Sequence, residues 1–284
     1  MMIKKNGNTI LATPALSLLA ACFLLVAPSN GNAPAAAADS SFLAVLSDTD
    51  MAPTVYETGN LGPVDPYHSD TLSIIPLPVD HGRGPVAIEI SNSTNGPPGA
   101  LELSGDGRFA YVAETYRQRP KGATRLDQLP QGNVIRSVDL RAEGGAAIID
   151  TVEIGTQPQA IELSPSGDLM VAITVDADQE LSFVHVRDGR FGTVARFGLD
   201  LPPSSGFIPL KATWVQWHPS GRYIAVNLVD RAQIAFYEIV RGDDGSVSEI
   251  LPWGNRIQTN KFPFCRPFLA GRALLHHVRH PMGR

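Results

Sequence analysis

Three polar side chains recur at one position of a repeated phrase, five residues before a turn glycine: Glu102, Glu162 and Gln216. Each interrupts a run of apolar residues that is typical of a strand. Carboxylates that converge from neighbouring strands can act as a general base or bind a ligand. They can equally bond the backbone of the next repeat, because buried polar groups need hydrogen-bond partners. Both interpretations stay open, and Arg108 is a further candidate for the same ligand channel.

A long connection between two predicted strands, residues 114–132, is rich in bases: Arg117, Arg119, Lys121 and Arg125. Loops of this length inside a compact domain are uncommon and often functional. The four bases are candidates for a basic rim that attracts an acidic ligand or a phosphate. The alternative is an ordinary solvated loop.

Metal and catalytic motifs are missing from the sequence. It has no G-x-S-x-G elbow, no H-E-x-x-H pair, no phosphate loop and no paired cysteine cluster. His276 and His280 share a face of a predicted strand, and Asp65, His68 and Asp70 lack metal-site spacing. We therefore expect no metal and no cofactor.

The phrase that carries the glutamates is a repeat of two strands joined by a tight turn. Its copies cover residues 100–113, 160–174 and 214–227, with turn glycines 60 and 54 residues apart. Each copy is followed by two more runs rich in Val, Ile, Phe and Tyr, at 133–140 and 147–154, 180–186 and 190–197, and 232–240 and 247–251. The sequence therefore predicts four strands in each repeat.

Recurring units of four antiparallel strands predict an all-β fold, the β-propeller. The first strand of each blade lies nearest the axis, so Glu102 and Glu162 are candidates for the central channel, and Glu89 is a candidate to extend the series. Three strand-like runs at 42–47, 71–77 and 85–91 and a partial fourth copy around Gly271 bring the count to about four to five blades. We expect the two chain ends to share one blade.

Residues 151–167, TVEIGTQPQAIELSPSG, combine a valine-containing strand, a glycine, a nearby proline and a serine-proline turn. Together with residues 97–113, this pattern resembles the repeat of the YVTN and lactonase-like (6-phosphogluconolactonase-type) propellers over about residues 85–275. The resemblance implies a ring of seven blades, so the chain looks short by two or more. It also implies a central channel whose charged side chains open cyclic esters.

The N-terminal segment has the layout of a secretory signal. Lys4 and Lys5 precede an apolar run and a small-residue stretch, which predicts a signal peptide over residues 1–38 and a propeller domain over 39–284. A lipoprotein cleaved at Cys22 and a retained membrane anchor are the alternatives. With cleavage after Ala38 only Cys265 remains, so no intrachain disulfide is expected. Residues 255–284 contain no acid and form an atypical tail, which suits a truncated gene or a shifted reading frame.

The function hypothesis is an exported, periplasmic or secreted, binding module with a small molecule or a protein at the channel mouth. The formal net charge of −5 argues against a nucleic acid as the partner, and no membrane span is expected after signal cleavage. The alternative is a lactone hydrolase in which a channel carboxylate activates water and a nearby arginine stabilises the oxyanion.

Overall fold

Four antiparallel sheets follow one another along the chain. The computed structural model describes residues 25–26, 41–52, 55–64, 69–79, 84–92, 99–201 and 212–259. The first sheet contains β1 (Leu25–Val26), β2 (Phe42–Ser47), β3 (Thr71–Pro76) and β4 (Val86–Glu89), and the second contains β5 (Leu101–Leu103), β6 (Phe109–Ala113), β7 (Val134–Asp139) and β8 (Ala147–Glu153). The third contains β9 (Ala160–Leu163), β10 (Leu169–Ile173), β11 (Leu181–Arg187) and β12 (Arg190–Phe197). The fourth contains β13 (Trp214–Trp217), β14 (Tyr223–Leu228), β15 (Gln233–Arg241) and β16 (Val247–Pro252), and β17 (Ile257–Gln258) pairs with β15.

Helices are short throughout the described residues. One helix, α1 (Val55–Thr58), and two 3-10 turns, Leu126–Gln128 and Val229–Arg231, lie in connections between strands. None of these described helices has the length and apolar character needed to cross a membrane.

Consecutive sheets pack face to face in chain order. The first strands of the last three sheets lie side by side, since β5 contacts β9 and β9 contacts β13, and the fourth strands β8, β12 and β16 do the same. First strands are therefore inner and fourth strands outer, which is the arrangement of propeller blades. This confirms the prediction of an all-β fold built from four-stranded antiparallel blades.

The three N-terminal runs are strands, as predicted, and they form one sheet with β1. The strand β1 falls within the predicted signal peptide, and the rest of residues 1–38 lies outside the described residues, so the signal stays a prediction. The fourth turn copy at Gly271, most of the 255–284 tail and the C-terminal histidines also lie outside the described residues, and the shared blade stays a prediction with them.

Each sheet interface has its own apolar core. Strand β10 is buried along its whole length because its side chains alternate between two of these cores. Leu169, Val171 and Ile173 pack towards the fourth sheet, whereas Met170 and Ala172 pack towards the second. A third core, which includes Ala44 and Leu72, joins the first sheet to the second. Alternating apolar positions on the strands thus fix the order of the blades.

The turn that marks the repeat needs a left-handed residue. Gly107, Gly167 and Gly221 have φ of 63°, 76° and 68°. In each copy the glycine N–H donates to the carbonyl of the residue three positions earlier, at 2.8 Å. Glycine adopts this conformation without steric cost, which explains why it recurs at this position.

The long connections lie at the opposite end of the sheets from these turns. Because neighbouring strands are antiparallel, the β2–β3 connection (48–70) and the β6–β7 connection (114–133) share one end with the crossovers between sheets. We call this end the loop face.

Candidate ligand cavity at the loop face

Two of the predicted channel carboxylates bond the next sheet. The carboxylate of Glu102 on β5 accepts a hydrogen bond from the backbone N–H of Leu163 on β9. Glu162 on β9 does the same with its Oε2 and the backbone N–H of Trp217 on β13, and the Trp217 indole donates to the Glu162 carbonyl at 3.3 Å. The donor Leu163 directly follows Glu162 in the sequence, and the donor Trp217 directly follows Gln216. The sequence left two roles open for these glutamates, ligand contact and a hydrogen bond to the next blade. In the structure both side chains make the hydrogen bond to the next blade.

Burial dominates the ionisation of this pair. It raises the pKa of Glu102 to about 8, although the Leu163 N–H favours the charged form. Burial and then the neighbouring charge of Glu102 raise the pKa of Glu162 to about 9, against the Trp217 N–H. Both side chains are therefore largely protonated near neutral pH. Gln216, the third member, is half-buried on β13.

Arg108 belongs to an ion pair within its own sheet. It lies in the β5–β6 turn, where its Nη2 donates to Asp139 Oδ2 at 3.0 Å and its guanidinium stacks 4.8 Å from the Phe109 ring centroid. Arg222 occupies the same turn position in the fourth sheet and pairs with Glu238 at 2.6 Å. This position thus ties a turn to the third strand. Glu89 lies on the fourth strand of its sheet, so the expectation that it extends the inner-strand series is wrong.

The four rim candidates occupy different settings. Arg117 donates to Asn133 at 3.1 Å and Arg125 pairs with Asp127 at 3.3 Å, both on the surface. Lys121 is exposed.

Arg119 is the exception, with a side chain only 9% exposed. It donates to Asp50 Oδ1 at 3.2 Å, to the Gly62 carbonyl at 2.9 Å and to the Ala123 carbonyl at 2.8 Å. Arg119 therefore fastens the β6–β7 connection to the β2–β3 connection.

These two connections also share a small apolar core. Val55 and Leu61 from the β2–β3 connection pack against Tyr116, Ala123 and Leu129 from the β6–β7 connection. This core and the hydrogen bonds of Arg119 join the described parts of the two connections above the first two sheets.

A cavity of about 420 Å³ opens between the two connections and the sheets beneath them. Within the described part of the chain, its charged lining residues are Asp50, Asp70, Glu89, Arg119, Lys121 and Arg136. A volume above about 300 Å³ is in the range of small-molecule sites. Two of the four rim candidates, Arg119 and Lys121, line it.

The cavity charges are mostly compensated. Asp70 Oδ1 accepts from the Thr49 N–H at 3.0 Å and its Oδ2 from the Asn92 N–H at 3.2 Å. Burial raises the pKa of Asp50, as does the charge of Asp70, against the hydrogen bond from Arg119. Arg136 pairs with the buried Glu114 at 3.1 Å.

Sequence reasoning missed Asp50 and Arg136, named Asp70 only as lacking metal-site spacing, and placed Glu89 in the inner-strand series instead. The available signal was that the two longest connections within the first two blades leave the same end of their sheets, and that both carry charge. Within the part of the chain that the structure describes, no three His, Cys, Asp or Glu side chains are grouped to hold a metal ion.

No family model and no curated protein matches the chain. Among solved structures, it is similar to a 6-phosphogluconolactonase-like protein of Bacteroides fragilis, with 17% identity over 86% of this chain and 60% of that one and a TM-score of 0.44. It is also similar to the hydrazine synthase of Kuenenia stuttgartiensis, with 18% identity over 78% of this chain and 54% of that one and a TM-score of 0.44. A third similar structure is Hsv2 of Kluyveromyces lactis, with 13% identity over 72% of this chain and 60% of that one and a TM-score of 0.43.

The chain spans only 54 to 60% of the length of these three structures. Identities and scores this low say nothing about activity. The propeller architecture rests on the order and packing of the chain's own sheets.

Proposed function

We propose that this chain is an exported β-propeller of the YVTN and lactonase-like type that acts as a binding module. The observation that carries the proposal is the loop-face cavity, which two mutually fastened connections build above the first two sheets. A protein partner at the same face is the other form of this hypothesis. The signal-like layout of residues 1–38 supports export to the periplasm or outside the cell.

The distribution of charged groups supports binding over catalysis. The two inner-strand glutamates bond the next sheet and are protonated near neutral pH, so neither is a ready general base there. In the cavity, by contrast, charged side chains converge from two connections and two sheets. Convergent polar groups in a preformed concave site are what small-molecule binding requires.

A cavity-filling variant tests the proposal. Ile148 lines the cavity and is 45% exposed, so Ile148→Trp fills its mouth without disturbing a core. Leu251→Trp is the matched control, because Leu251 is 39% exposed on β16. In a thermal-shift screen of small molecules, we expect compounds that raise the Tm of the wild type and of Leu251→Trp but not of Ile148→Trp. A screen without any such compound would refute the small-molecule form of the proposal.

A lactone hydrolase is the second candidate, favoured by the adjacent carboxyl groups of Glu102 and Glu162, which can hold and release protons. Purified protein that hydrolyses 6-phosphogluconolactone or a simple lactone would support it, provided that Glu162→Gln loses most of the rate. Full activity in Glu162→Gln excludes the carboxylate role, and no hydrolysis across a lactone panel excludes the enzyme.

A further inference from the structure

Among the lining residues that the structure describes, the charges balance in number. Three acids, Asp50, Asp70 and Glu89, face three bases, Arg119, Lys121 and Arg136. An anion in this cavity meets three carboxylates, and a cation meets three bases. Charge complementarity therefore favours a ligand that carries both signs.

Four of the six charges are already engaged. Asp50 pairs with Arg119, Arg136 pairs with Glu114, and Asp70 accepts hydrogen bonds from Thr49 and Asn92.

Glu89 and Lys121 differ from these four. Both are exposed, and neither has a hydrogen bond or an ion pair with the residues that the structure describes. Glu89 stands on β4 and Lys121 in the β6–β7 connection, so the two open charges come from different walls of the cavity. One carboxylate and one ammonium group are thus available to a ligand.

The apolar part of the described lining is aliphatic, beside the polar Thr49, Ser69, Ser91 and Gln118. Val64, Ile90, Pro120 and Ile148 contribute apolar surface, and no aromatic side chain is among the described lining residues. These four apolar residues offer aliphatic contacts to a ligand side chain.

We propose that the cavity binds an aliphatic zwitterion of amino-acid to dipeptide size, with Glu89 receiving its ammonium group and Lys121 its carboxylate. This inference rests on the proposed binding function and specifies its ligand. The engaged pairs Asp50–Arg119 and Arg136–Glu114 keep the walls in shape, and the aliphatic residues receive the ligand side chain.

Calorimetric titration with three probes tests this assignment: alanyl-leucine, its N-acetyl derivative and its C-terminal amide. The dipeptide carries both charges, the N-acetyl derivative only the negative one and the amide only the positive one. We expect wild-type protein to bind the dipeptide at least about tenfold tighter than either derivative, because each derivative leaves one cavity charge without a partner.

Single variants then assign each end of the ligand. Glu89→Gln should weaken dipeptide binding about tenfold and abolish the preference over the N-acetyl derivative. Lys121→Gln should weaken it similarly and abolish the preference over the amide. Glu153→Gln and Arg187→Gln remove exposed charges outside the cavity lining and should leave all three affinities unchanged.

The outcomes separate this inference from the proposed function. Equal affinity for the dipeptide and its N-acetyl derivative identifies an anion site and overturns the inference. Failure of all three probes, while Ile148→Trp still blocks another compound, overturns the zwitterion and leaves the binding module standing. If neither the probes nor the wider screen gives binding that Ile148→Trp blocks, both the inference and the small-molecule form of the proposed function are wrong.

Discussion

Glu102 and Glu162 show how a buried carboxyl group can hold two sheets together. Each accepts a hydrogen bond from a backbone N–H of the following sheet, and burial favours the protonated form. The neutral form still offers its carbonyl oxygen to the N–H. The contact is therefore compatible with protonation.

This arrangement predicts a stability that falls as pH rises. The folded pKa values of about 8 and about 9 lie above the ordinary value of 4.5, so these groups stabilise the fold fully below about pH 4.5 and lose that contribution as pH rises to about 9. Urea unfolding should show the free energy of unfolding decreasing by about 2–4 kcal/mol between about pH 5 and pH 9. Glu162→Gln, which keeps an acceptor for Trp217 and cannot ionise, should flatten the profile.

The control for this experiment is Glu153→Gln on the exposed β8. Its pH profile should follow the wild type. A wild-type free energy that stays constant or rises over the same range would contradict the protonated state of the pair.

Removing the buried side chain of Arg119 should reduce the stability of the fold strongly. Its side chain is 9% exposed and makes three hydrogen bonds, so Arg119→Ala leaves the half-buried Asp50 and two carbonyl groups without their donor. We expect a loss of about 2–4 kcal/mol in the free energy of unfolding. Arg125→Ala, which breaks the exposed pair with Asp127, should cost no more than about 0.5 kcal/mol. Equal losses in chemical denaturation would show that Arg119 does not fasten the two connections.

At the scale of strands and turns, close approach between sheets limits side-chain size. Gly99 bridges to Ala160 of the third sheet, and its carbonyl accepts from the Ile161 N–H at 2.8 Å. A Cβ on Gly99 would lie 2.7 Å from the Ala160 Cβ and 3.1 Å from the ring of Trp214.

We therefore expect Gly99→Ala to push the second and third sheets apart and to cost about 1–3 kcal/mol. Gly105→Ala is the control, since nothing lies within 4 Å of a Cβ there. Thermal unfolding of both variants measures the difference. A Tm of Gly99→Ala equal to that of Gly105→Ala would mean that the interface adapts to the added methyl group.

Strand positions were predictable because alternation and turn glycines are local signals. The predicted run 190–197 is β12 itself, and the other predicted runs differ from the observed strands by a few residues at most. The hydrogen-bond partners of Glu102 and Glu162 were harder to predict, because each donor lies more than fifty residues further along the chain. Asp50 was missed for the same reason, since it meets Arg119 only after two blades have packed.

At the scale of the molecule, the two middle sheets are covered on both faces and the outer strand β4 is not. Strand β10 is buried along its whole length between two cores, whereas three of the four residues of β4 are exposed. Hydrogen exchange should be slower in β10 than in β4, because backbone hydrogen bonds open most rarely where apolar contacts are densest. Mass spectrometry should find the amides of Leu169–Ile173 exchanging far more slowly than those of Val86–Glu89. Comparable rates would indicate that the chain opens as one unit.

The bonds made by Glu102 and Glu162 also have a direction. Both carboxyl groups take their N–H donor from a sheet that lies later in the chain. A chain that emerges from the ribosome N-terminus first therefore completes the second and third blades before the donor for each glutamate has been made. Each of these two blades waits with one unfilled acceptor until the next blade, as it is synthesised, supplies the group that fills it.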